Sequence, residues 1–537
     1  MGWRIPSVVR AMKWVTGSGI VGGRRRPEGS ALRRFRVFLL LPILALVLQA
    51  CGTRLPNSAF VKASQGSGQN ADVTAGDVGG GDQTGTGGDQ GTAGSAGSLT
   101  GGGSTAGAAG STGGANKGPT GGGPGGPNTA SDTGVTPTSI KIGNVTSIQG
   151  QFGPEAFSPS LYGLQAYANG VNARGGINGR KVTIDTCDDR DTGDGNLACS
   201  QKLVDQDKVF VFLANNSQSS SRSASFTNSR GVPDLGLPLN NGYQKYPTMF
   251  DFYGNNGSPR DGKNVGVNGT RYQTTGVYRW YKQQRHIDKA AVFFFNIAVS
   301  AQQGIAFEND LKAEGIPTVY EGGGSSSGEN FAAPSFDTDV VNMKQKGVQG
   351  IWDAMDVGSN QKLCTAMDRG NFTVIAKVST IEAWSAAVGT DFSSPCRNSV
   401  YVDGTSAPYS DTSNPVVGQF LADFKKYQPG RVPGHLHQWS AEGWGIGLEF
   451  QRAAESMGAN LTRKGFMAWL NGLDKYTLDG FTRPHDYKPI NPSATTNDCF
   501  SVVRWQDSAQ TFVVQTPIST CVPDAKWIGA VPTDDGS

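Results

Sequence analysis

The chain has 537 residues, of which 17% are charged and 76 are glycine, and its formal net charge is +3. Its first fifty residues contain nine Lys or Arg and one acidic residue, so the remainder has 38 basic and 43 acidic residues and a net charge of −5. The basic balance of the whole chain therefore reflects its first fifty residues, and no basic patch in the remainder suggests nucleic-acid binding.

The N-terminal fifty residues have the pattern of an export signal. A cluster of arginines precedes the apolar run Val37–Ala50, which is too short to span a bilayer. The run ends in LQAC at 48–51, which resembles the lipobox of bacterial lipoproteins. This resemblance implies that 1–50 are removed and that Cys51 becomes the acylated first residue. An ordinary secretory signal is the alternative. RRFR at 33–36 partly resembles a twin-arginine signal, so the Sec and Tat routes both stay open.

Residues 51–134 are predicted to be the lipid anchor and a flexible tether. Between Ser64 and Gly134, 26 of 71 residues are glycine, and most of the others are small or polar. Such a composition cannot bury enough apolar surface to offset the conformational entropy of folding. As a flexible coil it spans on the order of 40–50 Å, which would hold a folded module near a membrane partner.

The cysteines agree with an oxidising compartment. Six remain besides Cys51, and an even number in an exported chain favours disulfides, for which fifteen pairings exist. No C-x-x-C spacing is present, which argues against a structural zinc site or redox centre. We predict pairing of sequence neighbours, because each bond then closes a short loop: Cys187–Cys199, Cys364–Cys396 and Cys499–Cys521.

About 400 residues follow from Val135, which exceeds one ordinary core and suits two lobes. Strands and helices alternate along them. The first set comprises strands at 139–147, 181–189, 209–214 and 232–238, with helices between them. The second comprises strands at 290–297, 315–323, 348–355 and 371–380, with helices through Leu311 and over 336–346. This alternation predicts an α/β protein with two parallel sheets covered by helices. Ligands of such sheets bind beyond the carboxyl ends of the strands.

Several segments resemble type I periplasmic binding proteins, in particular the leucine/isoleucine/valine-binding proteins of ABC importers. NARGGINGRKV at 172–182 is the most specific, and IKIGNVTSIQGQFG before it and KLVDQDKVFVFLANNSQSSSRSA after it match the same pattern. The resemblance is good over 139–238 and diffuse over the second lobe. HLHQWSAEGWGIGLEFQRAAESMG at 435–458 fits the family's long helix after the last crossing between lobes.

The resemblance implies two Rossmann-like lobes joined by a three-segment hinge, which close around a small solute and deliver it to a membrane permease. The N-terminal lobe would comprise 135–254 and 405–475, and the C-terminal lobe 255–404 and 476–537.

The resemblance also implies where the solute would bind in the N-terminal lobe. The family holds a ligand carboxylate with hydroxyls and backbone N–H groups after the third strand, where a helix N-terminus favours an anion. The residues that match this loop are Asn216, Ser217, Gln218 and Ser219, and those of a second loop, after the fourth strand, are Asn240 and Asn241. A helix cap and a turn are the alternative roles of these loops. Asn215 and Asn216 depart from the family's hydroxyls and indicate a ligand with more than a carboxylate to hold.

The opposite lobe would supply an ammonium partner. Glu382 in STIEAWS aligns with the family's ammonium-binding acid, and the strand IWDAMD brings Asp353, Met355 and Asp356 near the cleft. Val299 or Ser300 falls where the family has an aromatic residue, which indicates a different side-chain pocket.

An enzyme is not expected. The chain has four histidines and no G-x-S-x-G motif around Ser217, so no base is evident for a serine nucleophile. His435 and His437 form a weak metal motif that is more typical of a surface, and no cofactor or metal is predicted. We therefore predict a monomeric, lipid-anchored solute-binding protein of an ABC importer on the extracytoplasmic face of the cell membrane. It would bind an amino acid, an amide or a related carboxylate, and it would contact the membrane only through its lipid. A ligand-sensing receptor without transport and a cell-surface interaction module are the alternatives.

Overall fold

The structure is a computed structural model that describes residues 127–532, except 256, 325, 433 and 434. The predicted signal peptide, Cys51 and most of the predicted tether lie outside the described residues. Within residues 127–532, apart from those four, no helix combines the length and apolarity needed to cross a bilayer.

A five-stranded parallel sheet forms the first lobe, in the order β2-β1-β3-β4-β5. Its strands are β1 Ser139–Thr146, β2 Lys181–Asp188, β3 Val211–Leu213, β4 Asp234–Gly236 and β5 Met249–Asp251. The helices that alternate with them are α1 Pro154–Phe157, α2 Pro159–Ala173, α3 Gly193–Gln201, continued by a π-helical turn Lys202–Gln206, and α4 Ser220–Ser229. The central strand β3 is buried on both faces, as its apolar sequence predicts.

The second lobe contains a seven-stranded sheet in the order β14-β13-β11-β10-β9-β7-β8. Its first five strands along the chain are parallel: β7 Ala290–Phe294, β8 Thr318–Glu321, β9 Gly350–Ala354, β10 Ala376–Ser379 and β11 Val400–Gly404. Two C-terminal strands, β13 Ser501–Gln506 and β14 Thr511–Thr516, extend it antiparallel. Two antiparallel pairs complete this part: β6 Arg271–Thr274 with β16 Trp527–Ala530, and β12 Thr496–Cys499 with β15 Cys521–Ala525.

The remaining helices divide between the two sheets. Those between strands of the second lobe are α5 Gly276–Arg285, α6 Ala298–Ala313, α7 Asp337–Lys346, α8 Val357–Arg369, α9 Val388–Asp391 and α10 Ser394–Arg397. After β11 the chain returns to the first lobe and forms α11 Pro415–Tyr427, α12 Gln438–Met457 and α13 Arg463–Asn471. Short 3₁₀ turns occur at Asn241–Gln244, Gly322–Gly324, Ile381–Ala383, Pro429–Arg431 and Gly458–Asn460.

Helices α2 and α12 cross closely because each has a glycine against the backbone of the other helix at the crossing. A Cβ on Gly443 would lie 2.0 Å from the carbonyl oxygen of Ser160, and a Cβ on Gly163 would lie 1.9 Å from that of Ser440. Side chains at these two positions would push the helices apart, so the long C-terminal helix can pack on the first lobe only with glycine there.

The NARGGINGRKV segment links β2 to the end of α12. Gly175 and Gly176, at φ +106° and +82°, follow the end of α2 in a conformation that favours glycine. The buried Arg180 guanidinium then donates to the carbonyl oxygens of Gly458 and Ala459, at 3.0 and 2.8 Å, and of Thr136 at 2.9 Å. The motif thus joins parts of the first lobe that are far apart in the chain.

The chain passes between the sheets three times: after β5, after β11 and after α13. On this packing we propose the lobe ranges 135–254 with 405–475 and 255–404 with 476–537. Contacts with the first lobe begin inside the predicted tether. Asn128 donates to the carbonyl oxygen of Asn178 at 2.7 Å, and Asp132 accepts the Arg463 N–H at 2.7 Å.

The predicted disulfide pairing is confirmed. One bond joins the end of β2 to α3, one joins α8 to α10, and one joins β12 to β15; these are Cys187–Cys199, Cys364–Cys396 and Cys499–Cys521.

Candidate functional site

A cavity of about 530 Å³ lies between the lobes, where the carboxyl ends of both parallel sheets meet. Its walls come from segments that follow β1, β3, β4 and β5 of the first sheet and β7, β9, β10 and β11 of the second. The N-terminal part of α12 completes it with His437, Trp439 and Glu442. This is the position that ligand sites take in doubly wound α/β folds, and the volume suits a small organic molecule.

Aromatic side chains supply much of the apolar wall. Phe157 and Trp439 of the first lobe lie with ring centroids 5.8 Å apart. Phe152 of the first lobe and Phe295 of the second each pack edge-on against Phe331, with centroids 5.1 Å apart. The rings therefore connect the two lobes beside the cavity as well as lining it.

The predicted loop after β3 contributes one side chain to the cavity, Gln218. The buried Asn216 side chain donates instead to the carbonyl oxygen of Phe157, at 3.3 Å. Ser217 is buried, its hydroxyl donates to Asp189, and its oxygen accepts the N–H of Ser219 at 2.9 Å. Ser219 occupies the N-cap position of α4 and is not among the lining residues.

Asn215 and Asn216, which depart from the family's pattern, form hydrogen bonds within the first lobe. Asn215 Oδ1 accepts the N–H of Val145 at 2.7 Å, and its Nδ2 donates to Asp234 at 2.7 Å. Together with the contact of Asn216 to Phe157, these bonds assign both amides to the fold rather than to the cavity.

The two asparagines predicted in the loop after β4 connect elements instead of lining the cavity, whereas Leu237, Pro238 and Leu239 of the same loop do line it. Asn240 Oδ1 accepts the hydroxyls of Ser220 and Ser221, both at 2.8 Å. Asn241 exchanges two amide hydrogen bonds, at 3.0 and 3.2 Å, with Gln302 of the second lobe. Both amides of this pair are buried, so they form a direct polar link between the lobes.

The predicted residues of the second lobe do line the cavity: Ser300, Asp356 and Glu382, together with Val299 and Met355. Ser300 accepts the N–H of Phe295 at 2.7 Å and donates to the carbonyl oxygen of Ala354 at 2.6 Å, which joins β7 to β9. Asp353, by contrast, is fully buried in the sheet below the cavity.

Asp356 and Glu382 each carry one buried oxygen without a hydrogen bond from any residue that the structure describes: Asp356 Oδ2 and Glu382 Oε2. The other oxygen of Asp356 accepts the N–H of Ser359 at 3.1 Å and caps α8. Burial raises the pKa of Glu382, the negative charges of Asp353 and Asp356 add to this rise, and Thr380 opposes it. Both residues line the cavity, but these two oxygens are themselves closed to solvent.

His437 is buried, contrary to the expectation of a surface residue, and it holds Glu382 in place. Its Nδ1 accepts the N–H of Trp439 at 3.0 Å, so the proton of the neutral ring is on Nε2. That Nε2 lies 3.1 Å from the carbonyl oxygen of Glu382 and donates to it. Burial lowers the pKa of His437 to about 4, which keeps the ring neutral. His435 also lines the cavity and is exposed.

Sequence reasoning missed a carboxyl group at the base of the cavity. Glu442 is fully buried and accepts the hydroxyls of Tyr253 at 2.5 Å and Ser406 at 2.6 Å. Tyr253 and Ser406 lie on two different crossings between the lobes, so this carboxyl joins two hinge segments. Burial raises its pKa to about 8. A glutamate within the apolar and small residues of SAEGWG was the signal available in the sequence.

Ser379, inside the predicted STIEAWS segment, joins the cavity to a buried ion pair. Lys377 and Asp353 are fully buried and lie 2.7 Å apart. The Ser379 hydroxyl donates to Asp353 at 2.8 Å, and its oxygen accepts Lys377 Nζ at 2.7 Å. Asn360 also contacts both charged groups. The pair therefore fixes the orientation of a cavity-lining hydroxyl.

Comparison with known proteins identifies a matching family. The sequence profile of the periplasmic binding protein family matches residues 139–510. No curated protein matches the chain significantly.

Three solved structures illustrate the shared fold. A fatty acid ABC transporter substrate-binding protein from Thermomonospora curvata has a TM-score of 0.55 and 15% identity, covering 73% of this chain and 94% of its own. A solute-binding protein of an R. palustris ABC transporter, in complex with benzoate, has a TM-score of 0.53 and 14% identity, covering 72% and 98%. A possible leucine/isoleucine/valine-binding protein from Rhodopirellula baltica SH 1 has a TM-score of 0.54 and 12% identity, covering 71% and 96%.

Proposed function

Because this chain belongs to the periplasmic binding protein family, we propose that it is an extracytoplasmic solute-binding lipoprotein of an ABC importer. The observation that carries this proposal is the cavity of about 530 Å³, which residues from both lobes line together. A solute bound there contacts the ends of both sheets at once. Closure of the lobes around it is a hinge movement of three crossing segments, and the closed form is what a permease recognises.

The solute is small and amphipathic. The cavity combines aromatic walls with a few converging polar groups, the usual composition of a small-molecule site. Three of the structurally similar proteins are a fatty acid ABC transporter substrate-binding protein, a solute-binding protein in complex with benzoate and a possible leucine/isoleucine/valine-binding protein. Amino acids, amides, aromatic carboxylates and fatty acids therefore make up the first panel. We propose no catalytic role.

Thermal-shift measurements with this panel test the proposal. We expect at least one compound to raise the melting temperature in a concentration-dependent way, because binding to the folded state alone stabilises it. Val299→Trp, which places a large side chain in the cavity, should abolish the shift. Val341→Trp is the matched control, because Val341 is 51% exposed and is not among the lining residues. If no compound stabilises the protein, or if Val299→Trp responds like the wild type, the solute-binding function at this cavity is wrong.

The lipid anchor has its own test. Cys51→Ser removes the only side chain of LQAC that can be acylated, so the protein should move from the membrane fraction to the soluble fraction of the producing cell. Ser58→Ala, which lies outside the lipobox, should stay in the membrane fraction. Retention of Cys51→Ser in membranes would refute acylation at this residue.

A further inference from the structure

We infer that Glu442 is a proton-operated lock on the hinge between the lobes. It holds the lobes closed while its carboxyl group carries a proton, and it favours their separation once that group ionises. This inference goes beyond the proposed function, because the lock acts on the lobes whether or not a solute is present.

Glu442 lies where the crossing segments meet. It belongs to α12, which packs on α2 of the first lobe. Its two oxygens accept the hydroxyl of Tyr253 on the first crossing, at 2.5 Å, and that of Ser406 on the second, at 2.6 Å. On the third crossing, Arg483 donates to the carbonyl oxygen of Tyr253 at 3.2 Å. One carboxyl group therefore contacts two crossings directly and the third through Tyr253.

The structure shows the lobes in direct contact beside the cavity. The amides of Asn241 and Gln302 exchange two hydrogen bonds, and the rings of Phe152 and Phe331 lie 5.1 Å apart. Hinge opening separates such contacts, while the crossings absorb the change in backbone angles. Helix α12 moves with the first lobe, so opening shifts the crossings relative to Glu442 and admits water to its carboxyl group.

Ionisation of Glu442 is unfavourable while the lobes are closed. Its side chain is fully buried, although the residue lines the cavity. Burial raises its pKa to about 8, the hydroxyls of Ser406 and Tyr253 oppose this rise, and the negative charge of Asp251 adds to it. A buried carboxylate costs free energy that contact with water removes. Opening therefore lowers the pKa of Glu442, and its ionisation favours the open form.

The two hydroxyls keep their contacts in both protonation states. A hydroxyl can donate to a carboxylate or accept from a carboxylic acid. Gln438 donates to the Ser406 oxygen at 2.9 Å and so holds this hydroxyl beside Glu442 in either state. The proton thus changes the cost of burying Glu442 rather than the partners that it has in the closed form.

Other titratable groups lie on the elements around Glu442. Burial raises the pKa of Asp251, at the end of β5, and of Asp403, in β11, to about 7, so both acids titrate in a similar range. His437 precedes Glu442 on α12 and stays neutral, because burial lowers its pKa to about 4. The remaining groups are Arg483, which pairs with Asp498, Glu449 and His485, which lie 3.9 Å apart, Tyr253 and Tyr487, and the cavity-lining Arg271 and Glu382. Among these three acids, Glu442 is the one whose oxygens contact two crossings.

The sign of the effect follows from the two pKa values of Glu442. The closed form has the higher pKa and binds the proton more tightly. The ratio of closed to open protein is therefore highest below the pKa of the open form, and it falls as the pH rises to about 8. By the same linkage, a solute that closes the lobes causes the protein to take up a proton near neutral pH.

Pulsed electron paramagnetic resonance on the solute-free protein tests the lock. Nitroxide labels are placed on Gln206→Cys in the first lobe and Val341→Cys in the second, both exposed positions, in the Cys51→Ser background. The distance that matches the closed structure should dominate at pH 6. A second distance should grow at pH 9, with a fall of about tenfold or more in the ratio of closed to open protein. An unchanged distance distribution would overturn the inference.

Variants assign the effect to Glu442. Glu442→Gln cannot ionise and should keep the closed distance at pH 9. Asp234→Asn is the matched control, because burial also raises the pKa of Asp234 to about 7 but its partners Asn215 and Tyr243 belong to the first lobe, so the wild-type change should persist. A wild-type change in Glu442→Gln would assign the effect to another acid and overturn the inference.

Ser406→Ala provides a second variant for the case that Glu442→Gln does not fold, which circular dichroism checks. It removes a hydroxyl that lowers the pKa of Glu442, so the change in distance should shift to higher pH. An unshifted change would overturn the inference. Because these measurements use no solute, their failure leaves the proposed function standing, and a failed solute panel leaves the lock standing.

Discussion

Replacing Lys377 by methionine is expected to lower the free energy of unfolding by about 3–5 kcal/mol, the cost of leaving one member of a buried ion pair without its partner. Lys377 and Asp353 are both fully buried, and their charged atoms lie 2.7 Å apart. Without the ammonium group, the carboxylate of Asp353 keeps only the neutral donors of Ser379 and Asn360. Burial lowers the pKa of Lys377, and the negative charge of Asp353 opposes this shift. The charge of the buried lysine therefore depends on its close contact with Asp353. Urea unfolding followed by circular dichroism measures the change.

Two further variants interpret the result. The double variant Lys377→Met with Asp353→Leu should regain part of the lost stability, since no isolated charge remains buried. Lys488→Met is the matched surface control, because Lys488 and Asp474 are 2.7 Å apart but largely exposed, and it should leave the unfolding curve nearly unchanged. A Lys377→Met protein as stable as the wild type would show that the pair does not support the sheet.

The ligand-free protein should be more stable near pH 5 than near pH 8. Burial raises the pKa of Asp234 and Asp251 to about 7 and that of Glu442 to about 8, from ordinary values of 3.8 and 4.5. Their contribution is complete below the unfolded pKa near 4 and is lost as pH rises through 7 to 8, because unfolding then releases protons. His437 acts in the opposite sense between pH 6.5 and about 4, but it is one group against these three and Asp403, whose pKa burial also raises to about 7. Melting temperatures across pH 5–8 measure the balance.

Glu442→Gln tests the cause of this pH dependence. The amide cannot ionise, so the melting temperature of this variant should fall less between pH 5 and pH 8 than that of the wild type. Asp507→Asn should keep the wild-type slope, because Arg397 lowers the pKa of Asp507 and its contribution is lost only at more acidic pH. A wild-type protein that melts at the same or a higher temperature at pH 8 would contradict the prediction.

Strand positions were predictable because parallel strands buried on both faces have a distinctive sequence. The apolar runs around β3 and β7 marked the sheets, and the structure places strands at Val211–Leu213 and Ala290–Phe294. The antiparallel strands β13 and β14 were not predicted individually. Their sequences, SVVRWQ and TFVVQT, mix apolar with polar residues, so they lack a long continuous apolar run.

The site was predictable only to the level of its loops. The family resemblance named Gln218, Ser300, Asp356 and Glu382, and all four line the cavity beyond the carboxyl ends of strands. The resemblance also named Ser217, but its hydroxyl donates to Asp189, which lies 28 residues earlier in the chain. The hydrogen-bond partner of a polar side chain often comes from a distant segment of the chain, so a local motif does not reveal it.

Composition and periodicity by themselves predicted an export signal and a glycine-rich tether, and they correctly predicted the two-sheet α/β class and a short-range disulfide pairing. These properties follow from local quantities: burial of apolar runs, chain entropy and the length of closed loops. Only the tertiary structure decided that Asn215, Asn216 and Ser217 form hydrogen bonds within the fold, and that Asp356 and Glu382 line the cavity. Hydrogen-bond partners are set by the three-dimensional fold and not by neighbours in the sequence. Residues that look equivalent in sequence can therefore differ in which polar atoms remain available to a ligand.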